Sequence, residues 1–242
     1  MPIKKRLDQE MASRRIVSSR SQAESYIRLG KVQVNGNVVT KPGYFVNEES
    51  NIKLTQDEQY VSRAGMKLAS IADKFNFDFG NKVVLDVGSS TGGFTDYALK
   101  HGAKKVIAVD VGSEQLHASL RNNEKIELHE KTDIRDFRTK QKIDIILIDV
   151  SFISSRQILP SVAQYFSSPV TQVVLMLKPQ FEVGTKIKNS GVVKNDKQRR
   201  KILKDFEIWA REYFLIKNKA DSEVAGAHGN RERFYLLQKI TD

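Results

Sequence analysis

Up to about residue 30, apolar side chains recur at the spacing of short amphipathic helices. The inward positions lie between residues 6 and 29, with a break at 17–19, and they are Leu7, Met11, Ile16, Ala23 and Ile27. This pattern predicts two short helices. Ser21 is the predicted N-cap of the second helix, with Glu24 three residues later as its capping-box partner, and Gly30 stops that helix.

The next segment has the alternation and the turn residues of a β-hairpin. Val32–Val34 is a predicted strand, and the tripeptide Asn35-Gly36-Asn37 after it is typical of a tight turn into a second strand. A polar stretch near residue 55 has no hydrophobic period and reads as a linker. We therefore expect a small α+β domain over 1–55, a linker over 56–62 and a larger domain over 63–242.

From residue 63 onward, unbroken apolar runs alternate with segments of helical spacing. An unbroken run of Val, Ile and Leu is typical of a strand buried on both faces of a parallel sheet. The predicted strands lie at 83–87, 105–110, 126–130, 143–149, 170–177, 214–219 and 233–239. Because predicted helices fall between them, the pattern indicates an α/β fold with a doubly wound sheet and helices on both faces.

Composition narrows the partners and the chemistry. The chain of 242 residues carries a formal net charge of +11, which favours a polyanion such as nucleic acid or an acidic membrane surface. It has no cysteine, and its four histidines lack metal-site spacing, so we expect no disulfide and no metal. The N-terminus lacks the apolar stretch of a signal peptide, and no apolar run approaches the roughly 18 residues of a membrane span. We expect a cytoplasmic protein without a membrane partner.

The strongest chemical signal lies in the turn after the predicted strand at 83–87. Gly88 is followed by three residues and then by Gly92-Gly93, whereas a dinucleotide-binding turn needs G-x-G-x-x-G, so a pyrophosphate ligand is disfavoured. Asp110 ends the next predicted strand, 24 residues after Asp86, where a carboxylate would hold a ribose diol. The competing interpretation is a glycine-rich turn that serves only packing.

The order D-x-G-x-x-x-G-G-F, followed by a strand that ends in Asp, resembles the S-adenosylmethionine pocket of Rossmann-like methyltransferases. This resemblance implies that Asp86 and Gly88 line the methionine end and that Asp110 holds the ribose. It also implies that Asp133 lies at the adenine edge, with Asp136 as a nearby alternative. The expected cofactor-binding residues are Asp86, Gly88, Ser89, Thr91, Gly92, Gly93, Phe94, Asp110, Asp133 and Asp149.

Two further charged residues follow buried strands. Asp149 ends the run at 145–148, and Lys178 ends the run at 173–177. Since the carboxyl ends of parallel strands meet at one edge of the sheet, the two side chains should converge beside the cofactor pocket. A purely structural salt bridge at that edge is the alternative interpretation.

The N-terminal domain resembles the αL-type RNA-binding domain of a small-subunit ribosomal protein, pseudouridine synthases and tyrosyl-tRNA synthetases. The matching motifs are Arg6-Leu7-Asp8, Ser19-Arg20-Ser21-Gln22-Ala23, Gly30-Lys31-Val32 and Val34-Asn35-Gly36. The resemblance implies contacts to RNA phosphates from Arg6, Arg14, Arg15, Arg20, Gln22, Arg28 and Lys31. The alternative is that these arginines only solvate a helix face.

The order Lys67, Asp149, Lys178 and Glu232 resembles the Lys-Asp-Lys-Glu tetrad of FtsJ-like RNA ribose 2′-O-methyltransferases. With the αL-type domain and the motifs at 62–68, 149–152, 177–182 and 191–193, nearly the whole chain resembles the TlyA family. This family implies S-adenosylmethionine-dependent methylation of cytidine 2′-hydroxyls in ribosomal RNA, in the large subunit alone or in both subunits. The fold class implied is a Rossmann-like methyltransferase sheet with a small N-terminal RNA-binding domain.

The expected roles within the tetrad follow from the reaction. A ribose hydroxyl is a poor nucleophile, so methyl transfer needs in-line placement and removal of the hydroxyl proton. Lys178 is the expected base, with Lys67 steering the hydroxyl. Asp149 and Glu232 orient the two ammonium groups. The competing functions are a non-catalytic ribosome-assembly factor, a haemolysin and an oxidoreductase.

Three segments leave alternatives open. The basic run at 194–201 either binds RNA phosphates or is a solvated helix face. The glycine-containing, basic stretch at 183–189 is a candidate loop that closes over the substrate. Arg233 follows Glu232 directly, where the family more usually has an aromatic residue, so the local geometry there is open.

Overall fold

The computed structural model describes most of the chain, in the ranges 4–17, 19–55, 60–183, 192–193, 195–224, 226 and 229–240. Most of the predicted linker, at 56–59, lies outside these ranges. The candidate closing loop at 183–189, apart from Val183, and Lys194 of the basic run also lie outside the described residues. Everything that follows refers to the described part of the chain.

The N-terminal domain consists of two helices and short strands. Its elements are β1 (Lys5–Arg6), α1 (Leu7–Ser13), α2 (Arg20–Arg28), β2 (Val32–Val34), β3 (Asn37–Val38), β4 (Phe45–Val46) and β5 (Ile52–Leu54). Within it, β2 lies between β3 and β5 in one antiparallel sheet, and β1 pairs with β4. The sequence pattern missed β1, β4 and β5, because strands of two or three residues carry no readable period.

The predicted N-cap of α2 was wrong by two residues. Ser19 has extended backbone (φ −155°, ψ 157°), and its side chain accepts a hydrogen bond from Gln22 N at 3.2 Å. Ser21 lies inside the helix, where a residue has helical backbone and cannot be the N-cap. The break predicted at 17–19 does separate the two helices.

Among the described residues, the large domain has seven strands, five α-helices and two short 3-10 helices at Ser155–Gln157 and Pro179–Phe181. The strands are β6 (Val83–Val87), β7 (Lys105–Val109), β8 (Ile126–His129), β9 (Ile145–Ile148), β10 (Gln172–Leu177), β11 (Phe214–Asp221) and β12 (Arg233–Lys239). The helices are α3 (Arg63–Phe75), α4 (Gly93–Lys100), α5 (Ala118–Arg121), α6 (Leu159–Tyr165) and α7 (Asp196–Ala210).

These seven strands form one sheet in the order β11-β12-β10-β9-β6-β7-β8. All neighbouring pairs from β10 to β8 are parallel, and β12 runs antiparallel between β10 and β11. The predicted doubly wound α/β sheet is confirmed. The chain reverses its direction of growth between β6 and β9, and that switch point is where such sheets bind ligands.

Apolar packing covers both faces of the sheet and continues into the N-terminal domain. Consecutive strand residues point to opposite faces of the sheet, so Leu147 belongs to the apolar cluster on one face and Ile148 to the cluster on the other. Tyr26 of α2 and Tyr60 belong to the same cluster as Leu147. Gln22 Nε2 donates to Tyr60 O at 2.8 Å, and this buried contact ties α2 to the segment that leads into α3.

Candidate active site

The turn after β6 brings backbone unusually close to the neighbouring strand end. Gly88 has φ +80°, and a Cβ at this position would lie 2.7 Å from the carbonyl oxygen of Asp149. A side chain at position 88 is therefore excluded by both conformation and space. Asp149 N also donates to Val87 O at 3.0 Å, which fixes the ends of β6 and β9 beside each other.

A cavity of about 380 Å³ opens at this switch point. Four of the predicted cofactor residues line it, namely Gly88, Asp110, Asp133 and Asp149, and Asp136 does not. Its apolar wall includes Val87, Val109, Ile134, Val150, Ile153 and Ile158. The cavity thus combines an apolar slot with carboxylates from three strand ends, which is typical of a nucleoside site.

The two outer carboxylates of this cavity are already held in place. Asp110 Oδ1 accepts a hydrogen bond from Gly112 N at 2.7 Å, and its Oδ2 accepts one from Ser90 N at 2.8 Å. A carboxylate held by two backbone N–H groups still has free lone pairs for a diol. Asp133 instead pairs with Arg135 at 2.6 Å, and the hydrogen bond from that guanidinium lowers the pKa of Asp133.

Asp86 lies beneath the turn and does not line the cavity. It is 1% exposed, and its Oδ2 accepts a hydrogen bond from Thr95 Oγ1 at 2.6 Å. Burial raises the pKa of Asp86 to about 7, and the nearby Asp149 contributes in the same direction. Among the described residues, Asp86 Oδ1 and the buried Ser89 Oγ have no hydrogen-bond partner.

The second half of the turn packs helices and does not line the cavity. A Cβ on Gly92 (φ +88°) would meet the side chains of Leu116 and Leu120, and one on Gly93 would meet Ser62 and Gly65. Phe94 is 2% exposed, in the core. The Thr91 carbonyl accepts a hydrogen bond from His117 N. Within this turn, Gly88 lines the cavity, whereas Gly92 and Gly93 serve the packing of helices.

The four tetrad residues meet at the ends of neighbouring strands. Asp149 follows β9, Lys178 follows β10 and Glu232 precedes the antiparallel β12, with Leu177 opposite Arg233 in the register. Lys67 approaches from α3. Lys178 Nζ lies 2.6 Å from Asp149 Oδ1, and Lys67 Nζ lies 2.5 Å from Glu232 Oε2. The tetrad is thus two ion pairs, and the Lys67–Glu232 pair is almost fully buried.

Two residues without a role in the sequence analysis also contribute to the site. Ser151 lines the cavity, and its Oγ accepts a hydrogen bond from Lys178 Nζ at 2.8 Å. Glu182 accepts hydrogen bonds from Ser154 Oγ (2.6 Å) and Ser155 N (2.8 Å), which ties the loop after β9 to the loop after β10. Both follow strand ends, and that position was the signal that could have found them.

The structure separates the predicted RNA-binding residues into two groups. Arg6 and Arg20 both bind the buried Asp8, and Arg14 binds Glu10 and three backbone carbonyls at 47–50. Gln22 is buried at the contact with Tyr60. Three of the cations are exposed and form no ion pair with another described residue, and they are Arg15, Arg28 and Lys31.

No group of three or more potential metal-ligating side chains occurs in the described ranges. Their helices also include none with both the length and the apolar character needed to cross a bilayer.

The glycine turn, the cavity and the two lysine–carboxylate pairs together define a Rossmann-like methyltransferase domain. The chain belongs to the FtsJ-like methyltransferase family, whose model matches residues 60–239, and an S4 domain model matches residues 5–52. The particular branch is TlyA, as two relatives of that name show.

A Campylobacter jejuni protein named 23S rRNA (cytidine-2′-O)-methyltransferase TlyA is 39% identical, with 94% of this chain and 97% of that protein covered. A Mycobacterium tuberculosis protein named 16S/23S rRNA (cytidine-2′-O)-methyltransferase TlyA is 34% identical, with 98% of this chain and 91% of that protein covered. A solved structure from Streptococcus thermophilus that bears the name hemolysin is 34% identical and has a TM-score of 0.72. The match between the two covers 100% of this chain and 90% of the Streptococcus thermophilus chain.

Proposed function

We propose that this protein transfers a methyl group from S-adenosylmethionine to the ribose 2′-hydroxyl of a cytidine in ribosomal RNA. One observation carries the proposal: a nucleoside-sized cavity at the switch point opens beside the Lys178–Asp149 pair, and Asp149 belongs to both. The cavity for the methyl donor and the side chain that accepts the proton are then next to each other. The names of the two TlyA relatives supply the cytidine and the ribosomal RNA.

The residues present fit S-adenosylmethionine. The apolar wall suits an adenine ring, and Asp110 offers a carboxylate that its backbone hydrogen bonds already hold in place for a ribose diol. Gly88 lines the cavity at the turn, and the unpartnered Asp86 Oδ1 and Ser89 Oγ supply buried polar atoms close to it. When bound, the cofactor supplies an electrophilic methyl group on a sulfonium.

The surroundings of Lys178 determine where its nitrogen can accept a proton. A lysine nitrogen has three directions besides its bond to Cε, and Asp149 and Ser151 occupy two of them. In the neutral amine the two hydrogens stay on these oxygens, so the lone pair takes the third direction. A 2′-hydroxyl placed there would give its proton to the Lys178 amine. The cofactor, when bound, would supply the methyl group to that oxygen, with the carbon–sulfur bond breaking to leave a neutral thioether.

The second ion pair has a different role. Lys67 is held by Glu232 at the adjoining strand end and remains an ammonium donor toward the substrate hydroxyl or a neighbouring phosphate. Buried pairing keeps this charge in a fixed position, which contributes to orienting the nucleophile. The residues that orient and the residue that accepts the proton are therefore held by separate carboxylates.

The S4 domain supplies the affinity for RNA. Exposed Arg15, Arg28 and Lys31 are available for phosphate contacts, and such contacts position a nucleic acid without reading its sequence. The net charge of +11 supports the same partner. A ribosomal RNA substrate also implies action in the cytoplasm.

The test is methyl transfer from labelled S-adenosylmethionine to ribosomal RNA or ribosomal subunits from cells that lack this gene. We expect the wild-type protein to produce 2′-O-methylcytidine and Lys178→Ala to lose about 100-fold or more in rate, since general base catalysis contributes factors of this size. Lys104→Ala, at an exposed lysine far from the tetrad in sequence, is the matched control and should keep the wild-type rate.

Two outcomes would contradict the proposal in different ways. If the wild-type protein binds the RNA but forms no 2′-O-methylcytidine, it is a non-catalytic RNA-binding factor. If Lys178→Ala methylates at the wild-type rate, the methyltransferase assignment stands and the assignment of the base is wrong.

A further inference from the structure

One arginine of the basic run at 194–201 does not face solvent. Residues 196–201 of this run form the first turns of α7, where Lys197, Arg200 and Lys201 are exposed, whereas Arg199 is 7% exposed. A buried guanidinium is costly unless its donors are paired, so its partners indicate why it is there. Neither solvation nor direct RNA binding accounts for a side chain in this position.

Arg199 holds two groups next to β12. Its Nε donates to the carbonyl oxygen of Arg231 at 3.1 Å, and a terminal nitrogen donates to Asp221 Oδ1 at 2.6 Å. The same Asp221 oxygen accepts a hydrogen bond from Arg233 Nε at 2.7 Å, and Asp221 lies opposite Arg233 in the β11–β12 register. We refer to Arg199, Asp221 and Arg233 as the arginine clamp.

The arginine clamp surrounds Glu232 in the chain. Arg231, which precedes Glu232, is held through its carbonyl oxygen, and Arg233, which follows it, is held through its guanidinium. The carbonyl oxygen of Glu232 accepts a hydrogen bond from Ser222 N at 3.0 Å. Gly226 also lies against the carboxylate, because a Cβ at this position would lie 2.5 Å from Glu232 Oε1. Both chain neighbours of Glu232 and its own carbonyl are therefore held in place beside its contact with Lys67.

Stability alone is a poor reason for such a cluster. Buried ion pairs are often no more stabilising than well-packed apolar side chains of the same volume. Geometry is the better reason, because Glu232 Oε2 lies 2.5 Å from Lys67 Nζ and a small displacement of a catalytic group can cost orders of magnitude in rate.

We propose that Arg199 is a positioning residue for methyl transfer: through Asp221 and the Arg231 carbonyl it sets the position of Glu232, and through Glu232 that of Lys67. The inference rests on the proposed function. It also explains the arginine at position 233, because Arg233 completes the clamp that holds the strand start.

The test compares Arg199→Met, Arg199→Lys, Glu232→Gln and the double variant Arg199→Met/Glu232→Gln in single-turnover methyl transfer with ribosomal RNA. Arg211→Met is the matched control, because Arg211 is an exposed arginine that follows the same helix. Affinity for S-adenosylmethionine is measured by calorimetry for each protein, at a temperature where all remain folded.

We expect Arg199→Met to lower the rate of the bound complex about 10- to 100-fold while the KM for RNA and the cofactor affinity stay near wild type. Arg199→Lys should fall between, since lysine keeps the charge but cannot hold both acceptors with a rigid fork. In the Glu232→Gln background, Arg199→Met should lower the rate by less than about a further twofold, because both changes act on the same contact between Glu232 and Lys67.

The inference would be overturned if the rate loss of the double variant equalled the product of the losses of the two single variants. It would also be overturned if Arg199→Met had the same rate as Arg211→Met. If Arg199→Met does not fold, Arg199→Lys and Asp221→Asn carry the same comparison. Failure of the proposed function would be visible separately, because the wild-type protein would then show no methyl transfer at all.

Discussion

Asp86 lies at the base of the turn after β6, in surroundings that disfavour its charge. It is 1% exposed, one of its oxygens accepts a hydrogen bond from Thr95 and the other has no partner among the described residues. Burial, with a contribution from Asp149, raises its pKa to about 7. Asp86→Asn replaces the carboxyl by a neutral group of nearly the same shape, so it isolates the effect of ionisation.

The sign of the expected pH dependence follows from proton binding. Between about pH 4 and about pH 7 the folded protein keeps the Asp86 proton, whereas the unfolded chain has lost it. The folded state binds more protons, so the free energy of unfolding falls as pH rises through this window. The ionised carboxylate costs about 4 kcal/mol once the pH exceeds 7.

Urea unfolding at several pH values, followed by the fluorescence of the single tryptophan, Trp209, measures this cost. The free energy of unfolding of Asp86→Asn minus that of wild type should rise by about 3 kcal/mol between about pH 4.5 and about pH 8. Asp133→Asn is the matched control: Asp133 has a lowered pKa and stays ionised over this range, so its difference should be flat. Parallel curves for wild type and Asp86→Asn would refute the reasoning, because Asp86 would then be ionised in the folded protein.

Two further predictions concern the cofactor turn and the S4 domain. Gly88→Ala should weaken binding of S-adenosylmethionine about tenfold or more by calorimetry, because of its φ of +80° and its contact with Asp149. Gly36→Ala, with φ +83° in an open hairpin turn, should leave affinity unchanged, and equal affinities for both variants would count against the placement of the cofactor. Arg28→Glu should weaken binding to ribosomal RNA. It should also reduce by about one the number of ions released on binding, which is read from the slope of log affinity against log salt concentration. Arg14→Met should instead lower the free energy of unfolding by about 1–3 kcal/mol and leave the salt dependence intact, since Arg14 holds three backbone carbonyls; a reduced salt dependence in Arg14→Met would contradict the division of the arginines.

The turn after β6 also illustrates how one motif can serve two purposes. Gly88 lets the backbone pass beside Asp149 at the cavity, whereas Gly93 lets α4 approach the start of α3. Both needs arise within six residues, so the motif could be read as a cofactor site or as a packing turn. Only the contacts of each glycine distinguish the two.

The sequence alone determined the class of fold and the strand ends that carry the site. Unbroken runs such as Ile145–Ile148 and Gln172–Leu177 are local signals, and the residue that follows each run must emerge at the edge of the sheet. For this reason Asp149 and Lys178 could be selected without coordinates. The motifs around them identified the family, and the family comparison confirmed it.

The tertiary structure alone decided how the charges are paired. Periodicity reports which face of an element is buried, but it does not report which distant group a side chain meets. Arg14 and Arg28 are equivalent as cations in the sequence, yet one holds a loop and the other is exposed. Arg199 likewise reads as one of many basic residues until α7 packs beside β12. Pairings across more than thirty residues depend on the packed chain, and that is where the sequence pattern stops.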